Sequence, residues 1–364
     1  MSNWFTESEI QFIKLKLIGN WRRVKLNLLV TGGAGFIGSN FVHYILAHYP
    51  GYKVINYDLL TYAGNLENLK DLESNMNYTF VNGDITNYLL LDELVKEHEV
   101  NVIVNFAAES HVDRSITNPN VFIKSNVLGT QVLLDVAKEN KVDKYLQVST
   151  DEVYGSLGET GYFTEDTPLN PNSPYSASKA SADLLVQSYY RTFGMDINIT
   201  RCSNNYGPYH FPEKLIPLTI SNALEGKELP IYGDGKNVRD WLHVKDHCSA
   251  IDLVIHNGRA GEVYNVGGHN EKTNNEIVHL IVEKLGVSKE LIKYVQDRPG
   301  HDHRYAIDPT KVTSELGWEP NYTFETGIEE TIRWYLDNQK WWKNIKSGDY
   351  QFYYANQYGD RINA

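Results

Sequence analysis

The chain has 364 residues, 41% hydrophobic and 22% charged, enough to bury a sizeable core in one large or two interleaved domains. A formal net charge of -12 disfavours a nucleic-acid or anionic-membrane partner but leaves room for a small anionic ligand held by local arginines. The two cysteines, Cys202 and Cys248, form no CxxC, and no apolar run is long enough to cross a bilayer, so the expectation is a reducing, cytoplasmic setting without disulfides or a zinc cluster.

Residues 1–24 carry Glu7 and Glu9 and lack a long apolar segment ending in a small-residue cleavage site. They read as a short amphipathic helix or a disordered leader, not as a signal peptide. From Leu26 short apolar runs alternate with helical patterns. Strands are expected at "LNLLVTG", "KVINYD", "YTFVNGD", "VNVIVNFAA" and "KYLQVST", and helices from about Phe36 to His48, at "LLLDELVKEH" and at "NVLGTQVLLDVAKEN" (126–140). This alternation, with strands apolar on both faces, predicts a doubly wound parallel sheet in an α/β fold. A polar, proline-rich loop, "TEDTPLNPNSP" (164–174), precedes the helix "YSASKASADLLVQSYYRTFG". After about Asn204 the character changes. "NNYGPYHFPEKLIP" and "LPIYGDGKNVRDW" are rich in Gly, Pro and aromatics and read as long irregular stretches, which are often functional. "EVYNVGG" returns as a strand. The expected organisation is a Rossmann domain over 25–203, rejoined by 240–268, and a smaller mixed α/β lobe from 204–239 and 269–364. The aromatic-dense end reads as a closing helix with a covering tail.

"VTGGAGFIG" (30–38) joins the first strand to the first helix, with Gly32, Gly35 and Gly38 spaced GxxGxxG. The first glycine permits the tight turn, the second lets backbone approach a pyrophosphate, and the third lets helix pack on strand. The helix N-terminus adds free N–H groups and a positive dipole. Asp58 stands at the end of the second strand, placed to accept from the adenosine ribose hydroxyls and to repel a 2′-phosphate. NAD is therefore expected over NADP. The bland alternative is a structural turn followed by a surface aspartate.

"PYSASK" sets Tyr175 and Lys179 at i, i+4 on one helical face. The ammonium would lower the phenol's pKa toward working pH, letting Tyr175 take a proton from a substrate hydroxyl, with Thr150 bonding the same oxygen. "VSTDEVYG" (148–155) then places Asp151 beside Glu152 just past a buried strand. Adjacent like charges there are costly unless used; the bland alternative is a surface turn with two solvated acids. His301–Asp302–His303 can be read as metal ligands, but no metal is expected, since nothing in a redox cycle of this kind requires one. His243 and His247, also i, i+4, lack the Glu of a metalloprotease motif and read as packing.

Taken together, the glycine turn, Thr150, Tyr175 and Lys179 resemble the extended short-chain dehydrogenase/reductase superfamily, from about Lys25 to the C-terminal region. Within it, "STDEVYG", "NFAAESHVDRSI", "YSASKA" and "RCSNNYGPYHFPEKLIP" resemble the dTDP-glucose 4,6-dehydratase family. Sugar-nucleotide 4-epimerases share the turn and YxxxK but have no Asp–Glu pair after the Ser/Thr. The resemblance implies an NAD-dependent hydro-lyase of deoxysugar (rhamnose) biosynthesis that dehydrates dTDP-glucose to dTDP-4-keto-6-deoxyglucose. Tyr175 takes the C4 hydroxyl proton, Glu152 removes the C5 proton, and protonated Asp151 donates to the departing C6 oxygen. It further implies cofactor contacts from Gly32, Gly35, Phe36, Ile37, Gly38, Asp58, Leu59, Thr61, Asp84, Ile85, Ala107, Ala108, Ser110, Ser149, Tyr175, Lys179 and Asn205. Substrate contacts are implied for Ser110, His111, Thr150, Asn204, Lys214, Leu215, Pro230, Tyr232, Arg239, Asn274, Asp297, Arg298 and His301. A homodimer through the helices beginning at Asn126 and Tyr175 is implied as well. The alternatives are a 4,6-dehydratase of another nucleotide sugar, a 4-epimerase or decarboxylating relative, and a non-catalytic NAD-binding regulator.

Overall fold

The computed structural model describes residues 25–298 and 300–347. The expectations for residues 1–24 and for the tail beyond residue 347 lie outside them.

The first strand, β1 (Asn27–Thr31), turns Leu28 and Val30 to one face and Leu29 to the other, and all three are completely buried. Such a strand needs cover on both sides. There follow α1 (Phe36–His48), β2 (Lys53–Asp58), β3 (Tyr78–Asn82), α2 (Tyr88–Glu97) and β4 (Val102–Asn105). Short helical turns over 112–122 lead into a π-helical run, Ile123–Gly129, and then α3 (Thr130–Glu139). The stretch expected to be one α-helix from Asn126 thus opens on widened turns. Asn126 sits in them, accepting from the Glu109 backbone N–H and donating to the Glu109 carbonyl and to Ser178 Oγ. Its side chain ties three segments, and π-type turns commonly mark such sites.

Next come β5 (Lys144–Thr150), a 3-10 turn over Asp151–Tyr154, α4 (Pro174–Phe193), β6 (Ile197–Cys202) and β7 (Asn204–Tyr206). The chain continues through α5 (Leu215–Leu224), β8 (Leu229–Tyr232), β9 (Val238–His243), α6 (Val244–Asn257), β10 (Val263–Val266) and β11 (Glu271–Thr273). It ends in α7 (Asn274–Leu285), β12 (Ile292–Val295), α8 (Thr310–Leu316), α9 (Phe324–Asp337) and α10 (Gln339–Ile345). The two stretches expected to be irregular therefore hold β7, the start of α5, β8 and β9. Their prolines fit because Pro217 lies in the first turn of α5, where no backbone donor is needed, and Pro230 lies in a two-stranded ribbon.

Seven parallel strands run in the order β10-β6-β5-β4-β1-β2-β3. Helices α1 and α6 cover one face through Phe41, Ile45, Val244 and Ile251. Helices α2, α3 and α4 cover the other through Leu91, Leu133 and Val186. The strand order reverses between β1 and β4, and ligands of such sheets bind beyond the strand C-termini at that point. Above it stand a three-stranded sheet (β11-β9-β7), the β12-β8 ribbon and a core of Tyr206, Trp241, Phe324, Trp341 and Trp342.

Candidate active site

A cavity of ≈ 420 Å³ opens over the switch point. Its floor begins at the glycine turn. Gly32 has φ +69°, and a Cβ on it would lie 2.6 Å from Ala107 N; one on Gly38 would lie 2.3 Å from Gly32 O. Both positions are closed by the chain itself. A Cβ on Gly35 meets only Gly32 O, at 3.3 Å, so this turn is open on the cavity side. Asp58 is buried beside it. Its Oδ2 accepts from the Ala34 N–H (2.9 Å) and Oδ1 from the Leu60 N–H (2.8 Å). Burial raises its pKa and these two bonds oppose the rise. Each oxygen keeps a lone pair, so the anchored carboxylate can still accept from a diol. An open anion-binding cradle next to such an acceptor fits a dinucleotide. Phe36, Ile37, Leu59, Thr61, Asp84, Ile85, Ala107, Ala108 and Ser110 complete this half of the wall. Asp84 is braced by Thr86 and Lys124.

Strand β5 carries Ser149 and Thr150 to its end and delivers Asp151 and Glu152 on the 3-10 turn. Thr150 Oγ1 caps the turn, accepting from the Glu152 N–H (3.3 Å), and lies 3.2 Å from Asp151 Oδ1. Asp151 is 1% exposed. Burial first, then the Glu152 and Asp240 charges, hold its pKa far above the usual carboxylate range. Burial raises Glu152 as well, but the cations Arg298, Lys214 and Arg239 oppose it. Two adjacent acids thus sit in environments that separate their proton affinities.

Helix α4 starts on a Ser173–Ser176 capping box and turns Tyr175 and Lys179 inward, both buried. Here the structure corrects the sequence expectation. The Tyr175 phenol is held well above its ordinary pKa, by burial and then by Glu152, Cys202 and Asp151, with a hydrogen bond from Thr150 acting the other way. Lys179 does not offset this: its Nζ donates to the Val148 carbonyl (2.7 Å), and burial lowers its own pKa.

The far wall gathers Ser110, His111, Asn204, Asn205, Lys214, Leu215, Pro230, Tyr232, Arg239, Asn274, Arg298 and His301. Lys214 Nζ donates to the Ser110 carbonyl (3.0 Å). Arg298 and Tyr232 both donate to Asp113, at 3.1 and 3.0 Å. Arg239 stacks over the Tyr305 ring (4.4 Å) and donates to the Asp302 carbonyl. Asp297 is the exception among the expected contacts: it lies outside the wall and holds His301 Nδ1 at 2.6 Å. Sequence reading missed Glu213, His210 and Tyr305, which also line the cavity. Glu213 is buried near His111 and Arg114, and burial pushes its carboxyl up to about 7. Its only sequence signal is adjacency to Lys214. Among the described residues no group of three or more His, Cys, Asp or Glu is arranged to hold a metal ion, and no helix is long and apolar enough to cross a membrane.

Residues 29–331 match the family model described as GDP-mannose 4,6 dehydratase. A dTDP-glucose 4,6-dehydratase of Xanthomonas campestris pv. campestris (strain B100) is 55% identical over 341 residues, which are 89% of this chain and 97% of the relative. The chain belongs to the dTDP-glucose 4,6-dehydratase family. The crystal structure of the family member from Bacillus anthracis, in complex with NAD, superposes with a TM-score of 0.83 at 60% identity, covering 88% of this chain and 100% of that one. The family member from Streptomyces venezuelae, also with NAD bound, gives 0.86 at 51%, again over 88% and 100%. The family's parallel sheet with flanking helices is the fold described above.

Proposed function

We propose that the chain converts dTDP-glucose to dTDP-4-keto-6-deoxyglucose and water, using NAD that is regenerated in each turnover. The observation that carries this is the Asp151–Glu152 pair, set in one cavity with Tyr175, Lys179, Thr150 and the glycine turn. A reaction confined to C4 needs a single proton acceptor; elimination across C5 and C6 needs a base and an acid more. Gly32, Gly35, Gly38, Asp58, Asp84 and Asn205 would hold NAD, which when bound supplies the acceptor for the C4 hydrogen and its return to C6. Tyr175 takes the C4 hydroxyl proton, with Thr150 aligning that oxygen; the positive charge that oxidised NAD would bring when bound opposes the rise that burial, Glu152, Cys202 and Asp151 impose on the phenol. Once C4 is a ketone, the C5 proton is acidic and Glu152, the acid more exposed to cations, removes it. Asp151, whose protonated form burial and the Glu152 charge favour, gives its proton to the C6 oxygen as water leaves, and Glu152 hands its proton back to C5 when the hydrogen returns to C6. Lys214, Arg239 and Arg298 suit the diphosphate by charge.

The protein acts as a homodimer in the cytoplasm on this reading. Leu128 and Leu184, on the π-helical run and α4, are 46% and 62% exposed, and both cysteines are buried and free. The direct test incubates purified protein with dTDP-glucose and follows the alkali-sensitive 4-keto chromophore. GDP-mannose and UDP-glucose serve as competitors, because the matching family model is described for GDP-mannose. Turnover of either in preference to dTDP-glucose would reassign the substrate. Accumulation of reduced cofactor in proportion to product would refute the closed cycle.

A further inference from the structure

Of the two histidines at i, i+4, His243, the last residue of β9, stacks on Tyr322 at 3.9 Å, as a packing residue should. His247 does something else. It is completely buried, and its Nδ1 lies 2.9 Å from Oδ1 of Asn205. An amide oxygen only accepts, so the ring must carry its proton on Nδ1. Nδ2 of Asn205 in turn donates to the Ser203 carbonyl at 2.9 Å. The amide is thus gripped at both ends, oxygen toward α6 and nitrogen toward the Ser203 backbone, in a residue that lines the cavity with Ser203 and Asn204. Among the described residues Nε2 of His247 has no hydrogen-bond partner, so the ring's directed contact is the one to Asn205. Burial holds the imidazole neutral, at a pKa of about 3, so one tautomer persists throughout the working range.

We propose that His247 is a positioning residue for the cofactor: by donating Nδ1–H to Asn205 Oδ1 it fixes the polarity of that amide, so that Asn205 offers an N–H donor, and not its carbonyl, to an acceptor oxygen of bound NAD. The inference rests on the reading of Asn205 as a cofactor residue. The two ends of an asparagine amide are nearly the same size, so without a donor at 247 the group's polarity is held by the Ser203 carbonyl alone and its oxygen loses the partner that keeps it turned toward α6.

The test measures NAD affinity by calorimetry on protein stripped of cofactor. Asn205→Ala and His247→Leu are each expected to weaken NAD by about 2- to 10-fold, the loss of one hydrogen bond. The double variant should bind no more weakly than Asn205→Ala alone. His247→Asn, whose amide nitrogen stands where Nδ1 was, should stay within about twofold of the parent. His243→Phe should leave NAD affinity unchanged, and KM for dTDP-glucose at saturating NAD should not move in any variant. Additive losses in the double variant, or a His247→Asn as weak as His247→Leu, would overturn the inference while leaving Asn205 as a ligand. An unchanged Asn205→Ala would overturn both. Should His247→Leu fail to fold, nitrogen NMR of histidine-labelled protein, with His247→Asn identifying the signal, decides: the Nδ1–H tautomer is expected, and Nε2–H refutes the assignment.

Discussion

After burial, the charges of Glu152 and Asp240 weigh most on Asp151, whereas those of Arg298, Lys214 and Arg239 weigh most on Glu152. That asymmetry supports the proposed roles, acid for the first and base for the second. Asp151→Asn and Glu152→Gln should each lose about 10²–10⁴-fold in turnover. A substrate with fluoride at C6 needs little protonation of its leaving group. It should restore product formation by Asp151→Asn and not by Glu152→Gln; the reverse pattern would exchange the roles. Glu213 yields a second expectation, read in stability. Its folded pKa is raised from 4.5 to about 7. The unfolded chain therefore releases this proton first as pH rises. The resulting stabilisation is complete below about pH 4.5 and is lost as pH climbs through 7. Glu213→Gln lacks this dependence. Between pH 5 and pH 8 its unfolding free energy, from urea titrations of cofactor-free protein, should gain on the parent by on the order of 2 kcal/mol. Equal pH slopes would show that Glu213 ionises normally. What made Asp151, Glu152, Tyr175 and Lys179 legible in the sequence is that each pair is close along the chain, at i, i+1 or i, i+4. The direction of the Tyr175 shift was not legible, because it depends first on how deeply the phenol is buried and then on the charges of Glu152 and Cys202. Asp297 was misplaced for a related reason: it sits in the right loop, but its side chain turns back to His301.

The glycine turn separates two functions that spacing alone merges. A methyl at Gly38 would collide with the Gly32 carbonyl, backbone against backbone, whereas one at Gly35 would project into the open cradle. Gly38→Ala should destabilise the fold by about 1–3 kcal/mol as an overpacked core position does. Gly35→Ala should melt within a few degrees of the parent yet bind NAD about tenfold more weakly. Thermal melts beside NAD titrations distinguish these; a Gly35→Ala that retains full NAD affinity would place the cofactor elsewhere. Six of the seven strands were readable because short apolar runs alternate with helical patterns; β6 was not, because Asn198, Thr200 and Arg201 break its apolar run although it is buried throughout. Three features carry no such signal. The π-helical run keeps a helical pattern and differs only in how Asn126 ties it down. Strands β7 and β11 have three residues each, too short for an alternation to register. The place of Glu213 against His111 and Arg114 comes from distant segments meeting.

At the scale of the whole molecule, the exposed apolar side chains Ile123, Leu128, Leu184 and Phe193 lie on the π-helical run and α4. In a twofold-symmetric pairing across these elements, Leu184→Arg sets like charges near one another. The variant should sediment as a monomer at micromolar concentration while the parent sediments as a dimer; a parent that is monomeric there would refute the pairing. A last consequence follows from where β10 stands. It completes the sheet edge beside β6, pairing Val263–Val266 with Ile199–Cys202, yet the chain first builds β7, α5, β8, β9 and α6. On the ribosome β6 therefore emerges long before its outer neighbour. Every residue of β6 is buried in the finished protein, so a nascent chain of intermediate length displays an uncovered strand with a free backbone edge, the kind that recruits other strands. The interval between synthesis of β6 and of β10 is then the period of greatest risk for aggregation, and slowing translation within it should lower the soluble yield more than slowing it before β6 or after β10.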